Sequence, residues 1–237
     1  MSPAVLIRLA TVDDANEIVD LVVKNIGKLS PMNRAFKCEE EDTQDCYEAK
    51  IRDALPDGIS FVAVDTSTNE IVGCSIQGIW HRDSSKNRTT HLPTTQTATL
   101  IYSLTNRLRE LFWELCPTDV TIVSRGVTMI VKSDYQRMGI GNKLITSANN
   151  EEFLTSKGID GLMGVPTSIA NKRNMDKLGS IHLAEIKYED FFMANEIPFK
   201  GAFTDGTTKA YLTFTPMKKY KTFKPNYKIL TCLKSKL

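Results

Sequence analysis

The pattern of apolar and polar positions predicts a chain of mixed helices and strands. Residues 5–9 read as a short strand, and Thr11 and Asp14 have the spacing of a capping box at a helix start. The apolar residues on one face of that helix are Ala15, Ile18, Val19, Val22 and Ile26. Residues 28–45 show no such period, so we expect an irregular segment there, followed by a second helix that ends near Leu55.

A two-residue alternation then predicts an antiparallel hairpin. Residues 60–65 and 71–80 alternate in a strand-like way on either side of a polar connection. A polar loop over residues 81–97 leads into another helix, which Pro117 ends. The apolar residues of this helix are Ile101, Leu104, Leu108, Leu111, Phe112 and Leu115.

The second half of the chain predicts strands and helices in turn. They are a strand over residues 121–131, a helix from about Gly141, a strand at 161–165, a helix at 168–178 and strands near 183–188 and 209–214. This order favours one mixed α/β domain over residues 1–216, built on a single central sheet. Residues 217–237 are predicted to form a basic C-terminal tail.

Composition narrows the class of protein. The 237 residues are 41% apolar, which is enough for a core, and no run of 18 apolar residues occurs. We therefore expect a soluble intracellular protein without a membrane partner. The five cysteines lie far apart and, with three histidines, form no metal-binding spacing, so free thiols and no metal site are predicted.

Charge and the last residues suggest a location. Eight lysines and no acidic residue follow Asp205, but this basic segment lacks a recognisable nucleic-acid module, so no nucleic-acid partner is predicted. The chain ends in Ser235-Lys236-Leu237, the form of address that the peroxisomal import receptor reads. We expect a peroxisomal protein, with the cytoplasm as the alternative.

The pattern of apolar residues along the chain indicates no oligomeric state.

The sharpest chemical signal follows the strand that ends at Val131. The chain passes there into a turn containing Gly139 and Gly141 and then into a helix. Backbone N–H groups at such a turn, with the helix dipole, bind phosphate oxygens, and Arg137 adds a positive charge. A dinucleotide fingerprint would need a third glycine and a Walker loop would need Gly-Lys-Ser/Thr, and both are absent.

The run from Gln136 to Gly141 resembles the signature of the GNAT superfamily of acetyltransferases, Gln/Arg-x-x-Gly-x-Gly/Ala. Residues 171–179 look like the superfamily's helix ending in Leu-Gly-Phe, with Ser180 in place of the aromatic residue. Within the superfamily, the chain is most similar to invertebrate arylalkylamine and dopamine N-acetyltransferase-like proteins. That likeness lies in residues 111–119, 135–141 and 188–191.

The resemblance implies a fold and a cosubstrate. The fold is a central, twisted, mostly antiparallel sheet of about seven strands flanked by helices, with a helical insertion before the fourth strand. The cosubstrate is acetyl-CoA. The resemblance places its pantetheine arm on the backbone of Met129, Ile130 and Val131. It places the pyrophosphate on the N–H groups of Arg137, Met138, Gly139, Ile140, Gly141 and Asn142.

The resemblance is less direct for catalytic residues. Two histidines of the vertebrate arylalkylamine enzymes correspond to Arg125 and Val127 here, and the superfamily's general-acid tyrosine corresponds to Met175. A glutamate and two serines proposed for insect dopamine acetyltransferases project onto Glu40, within the acidic run 39–42, and onto Thr167 and Asn171. The alternatives are a solvated acidic segment, a helix N-cap at Thr167 and a structural hydrogen bond at Asn171.

The resemblance implies acetyl transfer to a small amine, with an arylalkylamine as one class, by direct attack in a ternary complex. One alternative is an acetyl-CoA-binding regulatory protein that has lost turnover, because the usual proton-handling residues are replaced. Another is acetylation of a protein or peptide. An enclosed cavity would fit a small amine, whereas an open channel would fit a peptide.

Overall fold

The computed structural model describes residues 4–89, 91–220 and 222–230. Within them the strands form one sheet of eight, in the spatial order β1-β2-β3-β4-β5-β7-β6-β8. The strands are β1 (Val5–Leu9), β2 (Phe61–Asp65), β3 (Glu70–His81), β4 (Ile122–Val131), β5 (Gly161–Gly164), β6 (Ile181–Lys187), β7 (Lys209–Pro216) and β8 (Lys228–Leu230). All neighbours are antiparallel except β4 with β5 and β6 with β8.

Helices cover both faces of the sheet. They are α1 (Ala15–Leu29), α2 (Pro31–Ala35), α3 (Glu40–Ala54), α4 (Gln96–Glu110), α5 (Phe112–Leu115), α6 (Ile140–Ala148), α7 (Glu151–Ser156), α8 (Ile169–Lys177) and α9 (Tyr188–Ala194). Successive side chains of a strand point to opposite faces. On β2, Val62 and Val64 therefore pack with α1 and α3, while Ala63 packs with Ile140 and Leu144 of α6.

The predicted fold class is confirmed, with eight strands rather than about seven. The capping box forms as expected, because Asp14 accepts a hydrogen bond from Thr11 N at 2.7 Å. The predicted apolar face of α1 is buried. The helical insertion before β4 consists of α4 and α5, and it packs onto β6 and β7 in the largest core cluster.

The prediction of an irregular segment at residues 28–45 is wrong. This segment contains α2 and the start of α3, and Met32 and Phe36 are buried in the same core cluster as α4 and α9. Phe36 packs on Phe192 with ring centroids 4.8 Å apart. Contacts with distant residues therefore stabilise helices that local periodicity did not indicate.

The eighth strand lies in the segment predicted as a tail. β8 pairs in parallel with β6, and Tyr220 is buried and donates a hydrogen bond to Asp119 O at 3.1 Å. Through residue 230 the described part of this segment thus packs on the domain. The predicted peroxisomal address at residues 235–237 lies outside the described residues and stays a prediction.

Candidate active site

A separation between β4 and β5 is the central feature of the site. The two strands pair only over residues 123–125 of β4 and 161–163 of β5. From Gly126 to Val131, β4 pairs with β3 on one side, and among the described residues no strand pairs with its other edge. That edge leaves backbone N–H and C=O groups open to an extended ligand.

A β-bulge lies where this separation begins. Ile76 faces Thr128, whereas the next residue, Gln77, faces Gly126, so Val127 has no partner on β3. A bulge bends its strand and redirects its side chains. Beside it, Thr128 Oγ1 is buried without a hydrogen-bond partner among the described residues. The bulge supplies the bend that separates β4 from β5.

The separation opens into a cavity of about 620 Å³, a volume within the range of small-molecule sites. The cavity is lined by residues of α3, α4, β3, β4, β5 and α8. Met129, Ile130 and Val131, predicted to hold the pantetheine arm, line it, and so do Thr167 and Asn171, predicted to act in catalysis. The structure thus brings these two predicted groups to one cavity.

The turn after β4 lies at one end of the cavity and presents free backbone donors. Gln136 lines the cavity, and its Nε2 donates to Val131 O at 3.0 Å, which holds the turn to the strand end. Arg137 and Gly139 adopt left-handed conformations, with φ of 62° and 78°. The N–H groups of residues 137–142 donate to no acceptor among the described residues.

The space around this turn fits a phosphate group. A Cβ at Gly139 or Gly141 would meet nothing within 4 Å, so the turn is bordered by open space. Met138 and Asn142 are exposed, whereas the Ile140 side chain is buried in the core, so only its backbone can contact a ligand. Free N–H groups at a helix start, with space beside them, are the arrangement that binds pyrophosphate.

The structure changes the interpretation of the predicted catalytic residues. Ser168 caps α8, since its Oγ accepts a hydrogen bond from Asn171 N at 3.2 Å, so the N-cap alternative for Thr167 is wrong. The carbonyl of Thr167 accepts a hydrogen bond from Tyr188 Oη at 2.8 Å, which fixes the backbone there. Glu40 is exposed in the first turn of α3, outside the cavity lining, and is not brought together with Thr167.

A histidine and an aspartate at the cavity add a candidate that the sequence did not single out. Nε2 of His91 lies 3.2 Å from a carboxylate oxygen of Asp53, and both residues line the cavity. A carboxylate beside imidazole can orient the ring. The sequence placed His91 in a polar loop, and only the fold brings it beside Asp53 of α3.

The buried thiols are poorly suited to carry an acyl group. Burial raises the pKa of Cys74 to about 12 and that of Cys116 to about 11. A thiol with so high a pKa is seldom the reactive thiolate. In the described residues, no three His, Cys, Asp or Glu side chains gather to hold a metal ion. Every helix in the described ranges is too short or too polar to cross a bilayer.

Besides Arg88, which pairs with Asp57, three cationic side chains line the cavity: Lys50 on α3, Arg109 on α4 and Arg125 on β4. Burial, and then the charges of Arg109 and Arg125, lower the pKa of Lys50 to about 8. Burial and the charge of Arg125 lower the pKa of Arg109 to about 10. The sequence drew attention only to Arg125, because the three residues are far apart along the chain.

Replacing Lys50 with methionine is expected to stabilise the fold by about 1–3 kcal/mol at pH 7. The pKa of Lys50 is lower in the folded than in the unfolded protein, so the protonated side chain destabilises the fold. The stability gained by replacing it is therefore complete below pH 8 and shrinks as the pH rises towards 10. The charged or titratable groups that act on Lys50 are Cys46 and Asp45 on α3, Arg109 on α4 and Arg125 on β4.

Chemical denaturation at pH 7 and pH 10 measures this effect. Lys24→Met is the control, because Lys24 is exposed on α1 and pairs only with the exposed Asp20. A K50M protein that is less stable than the wild type at pH 7 would contradict the assignment of a destabilising charge.

The fold of the chain is similar to that of solved N-acetyltransferase structures. A candidate arylalkylamine N-acetyltransferase 7 from the yellow fever mosquito Aedes aegypti superposes with a TM-score of 0.73 at 13% identity, over 90% of this chain and 88% of that chain. Arylalkylamine N-acetyltransferase 2 from Aedes aegypti gives 0.69 at 18% identity, over 90% and 99%. The polyamine N-acetyltransferase of Drosophila melanogaster, which forms N-acetylagmatine, gives 0.63 at 13% identity, over 89% and 98%.

No protein-family model matches the chain. At these low identities the superpositions establish the fold. The structural neighbours are GNAT acetyltransferases, insect arylalkylamine N-acetyltransferases among them, and this chain has the fold of that superfamily.

Proposed function

We propose that the protein is an acetyl-CoA-dependent N-acetyltransferase that acetylates a small amine. The observation that carries this proposal is the unpaired edge of β4, which leads directly to the free N–H groups of residues 137–142. An extended arm with amide groups can pair with a strand edge, and phosphates bind the N–H groups at a helix start. Acetyl-CoA has both features in one molecule.

The residues around the cavity must support a simple exchange of bonds. The amine nitrogen forms a bond to the acetyl carbon, the carbon–sulfur bond breaks, one proton leaves the amine and one proton reaches the thiolate. Acetyl-CoA supplies the activated acetyl group. His91, held by Asp53, is the proposed proton acceptor, and Thr167 and Asn171 are proposed to position the reacting groups.

The shape of the site supports a small acceptor rather than a peptide. Tyr102, Thr105 and Arg109 of α4 line the cavity, so the helical insertion forms part of the wall around the acceptor end. The cavity volume of about 620 Å³ suits small molecules. Of the three structural neighbours described above, two are named for arylalkylamines and one for polyamines, which supports an amine acceptor.

A second candidate function is acetyl-CoA binding without turnover. It is favoured by Met175, which lines the cavity where the superfamily carries its general-acid tyrosine and which cannot donate a proton. The proposed enzyme must protonate its thiolate by another group or by water.

One experiment separates the two functions. The purified protein is incubated with acetyl-CoA and a panel of amines, thiol release is followed, and CoA binding is measured by calorimetry on the same sample. Amine-dependent thiol release supports the enzyme. Tight CoA binding with no release for any amine supports the binding protein, and absence of CoA binding refutes both.

Substitutions test the proposed roles in catalysis. We expect His91→Asn, Thr167→Val and Asn171→Ala each to lower kcat/KM by about 10- to 100-fold while CoA affinity stays within a few-fold, since general acid–base and positioning groups contribute on this scale. Glu40→Gln is the matched control, and we expect it to leave turnover unchanged because Glu40 lies outside the cavity lining. Loss of turnover in E40Q but in none of the other three variants would support the catalytic role that the sequence predicted for Glu40.

A further inference from the structure

Of the four lysine and arginine side chains that line the cavity, Arg88 pairs with Asp57 and the other three lack partners among the described residues. The side chains of Lys50, Arg109 and Arg125 make no hydrogen bond and no ion pair with any other described residue. Nε of Arg109 is fully buried in this state. Two of the three lie near aromatic rings: Lys50 Nζ is 5.5 Å from the Tyr102 ring centroid, and the Arg125 guanidinium is 6.0 Å from that of Trp80.

The carboxylates of the cavity wall are already engaged elsewhere. Asp57 accepts hydrogen bonds from Arg88 and from Ile79 N, both at 2.7 Å. Asp53 pairs with His91 at 3.2 Å, and Glu110 accepts from Asn106 at 2.8 Å. These acids act on the cations only at longer range, so the cavity keeps an uncompensated positive region.

Such a region is unfavourable unless an anion completes it. Half-buried like charges repel each other and lose part of their hydration, and the lowered pKa values of Lys50 and Arg109 are signs of both effects. A carboxylate among the three side chains would reverse the repulsion and satisfy the guanidinium donors. Arginine suits this role because its planar fork can hold two carboxylate oxygens at once.

The phosphates of acetyl-CoA do not account for the region. Arg125 precedes Val131 by six residues on β4, which corresponds to roughly 20 Å along an extended strand. The free N–H groups of residues 137–142 lie beyond Val131, at the opposite end of that strand from Arg125. Lys50 and Arg109 come from α3 and α4, and neither lies on the strand edge or the turn proposed to hold acetyl-CoA. The missing anion is therefore a part of the acceptor.

We propose that the acceptor carries a carboxylate as well as an amine, so that its class is an amino acid rather than a simple arylalkylamine or polyamine. This proposal rests on the N-acetyltransferase function proposed above. Arg109 and Arg125 bind the carboxylate, Lys50 adds to the positive field, and Trp80 and Tyr102 provide apolar surface for the acceptor side chain.

The test uses acceptor pairs that differ only by a carboxylate: tyrosine with tyramine, tryptophan with tryptamine, arginine with agmatine, and γ-aminobutyrate with propylamine. We expect kcat/KM to be at least about 10-fold higher for the amino acid in one or more pairs. R109Q and R125Q should remove that preference, mainly through a higher KM for the amino acid, and R109K should restore part of it.

Arg52→Gln is the matched control. Arg52 is exposed on α3 two positions after Lys50, on the opposite side of the helix, and it pairs with Glu48 on the surface. We expect R52Q to keep both the preference and the wild-type rate.

The outcomes separate this inference from the proposed function. Acetylation of the amines with equal or lower activity on every paired amino acid would overturn the inference and leave the acetyltransferase function intact. A preference that survives in both R109Q and R125Q would also overturn it. A parallel assay with succinyl-CoA addresses a carboxylate on the donor: faster transfer from succinyl-CoA to the simple amines, lost in R109Q, would place the anion on the acyl group and refute the proposal.

If no acceptor reacts, calorimetric titration of the amino acids into the CoA complex still tests the cationic site. Binding of an amino acid that is lost in R109Q would support the inference while turnover fails. Absence of binding would refute it.

Discussion

Replacing Gly141 with glutamate is expected to weaken acetyl-CoA binding at least about 100-fold, which corresponds to roughly 2.7 kcal/mol. Gly141 is the second residue of α6, and a side chain there would enter the open space beside the free N–H groups of residues 137–142. A carboxylate at this position would repel the phosphates and compete for their donors. Calorimetric titration with acetyl-CoA measures the change.

The same substitution should leave the free protein folded. The backbone of Gly141 is helical and its Cβ would meet nothing within 4 Å, and an acidic side chain near a helix N-terminus is favourable. Gly141→Ala is the control, because alanine is also found at this position of the signature, and we expect its affinity to stay within a few-fold of the wild type. Wild-type affinity in G141E would show that acetyl-CoA does not bind at this turn.

Gly161→Ala is expected to cause the largest loss of stability from one added methyl group, about 2–3 kcal/mol, or roughly 4–12 °C in Tm. A Cβ at Gly161 would lie 2.8 Å from Cζ of Phe214 and 2.9 Å from the carbonyl oxygen of Thr215. Phe214 is fully buried and the carbonyl belongs to β7, so neither can move aside easily. Close packing of β5 on β7 thus depends on this glycine.

Thermal unfolding of G161A and of Gly126→Ala gives the comparison. Gly126 lies on the neighbouring strand β4, and a Cβ there would meet nothing within 4 Å. We expect the Tm of G126A to lie within about 2 °C of the wild-type value, because a substitution that meets no neighbouring atom alters stability little. Equal Tm values for G161A and the wild type would contradict the tight β5–β7 contact.

Most of the helices and strands were predictable from signals between neighbouring residues. The capping box at Thr11 and Asp14, the helix with buried Ile18 and Val22, and the hairpin of β2 and β3 each depend on neighbouring residues, and each is found. The turn at Gly139 was predictable for the same reason, because glycine spacing and a following helix are local properties.

Elements that depend on distant contacts were not predictable in this way. α2 is stabilised by burial of Met32 and Phe36 against the insertion and α9. β8 has only three residues and exists through pairing with β6, more than 40 positions earlier. At Tyr188 the chain turns into α9 where a strand was expected to end, because Tyr188 and Phe192 are buried in the core.

The candidate site was predictable only in part, for the same physical reason. Met129, Ile130 and Val131 lie on one strand beside the turn, so one local signature identified them together. Lys50, Arg109 and Arg125 come from three elements, and nothing local marks them as a group. Glu40 was projected from a resemblance across residues 28–45, which were predicted to be irregular, and it lies outside the cavity lining.

Acetyl-CoA is proposed to bind along the free edge of β4 and on the turn that follows. Hydrogen–deuterium exchange of the full-length protein, with and without acetyl-CoA, tests it most directly. We predict slower exchange on binding at residues 127–131 and 137–142, where N–H groups would gain acceptors. Unchanged exchange in both segments at a saturating concentration of acetyl-CoA would contradict the account.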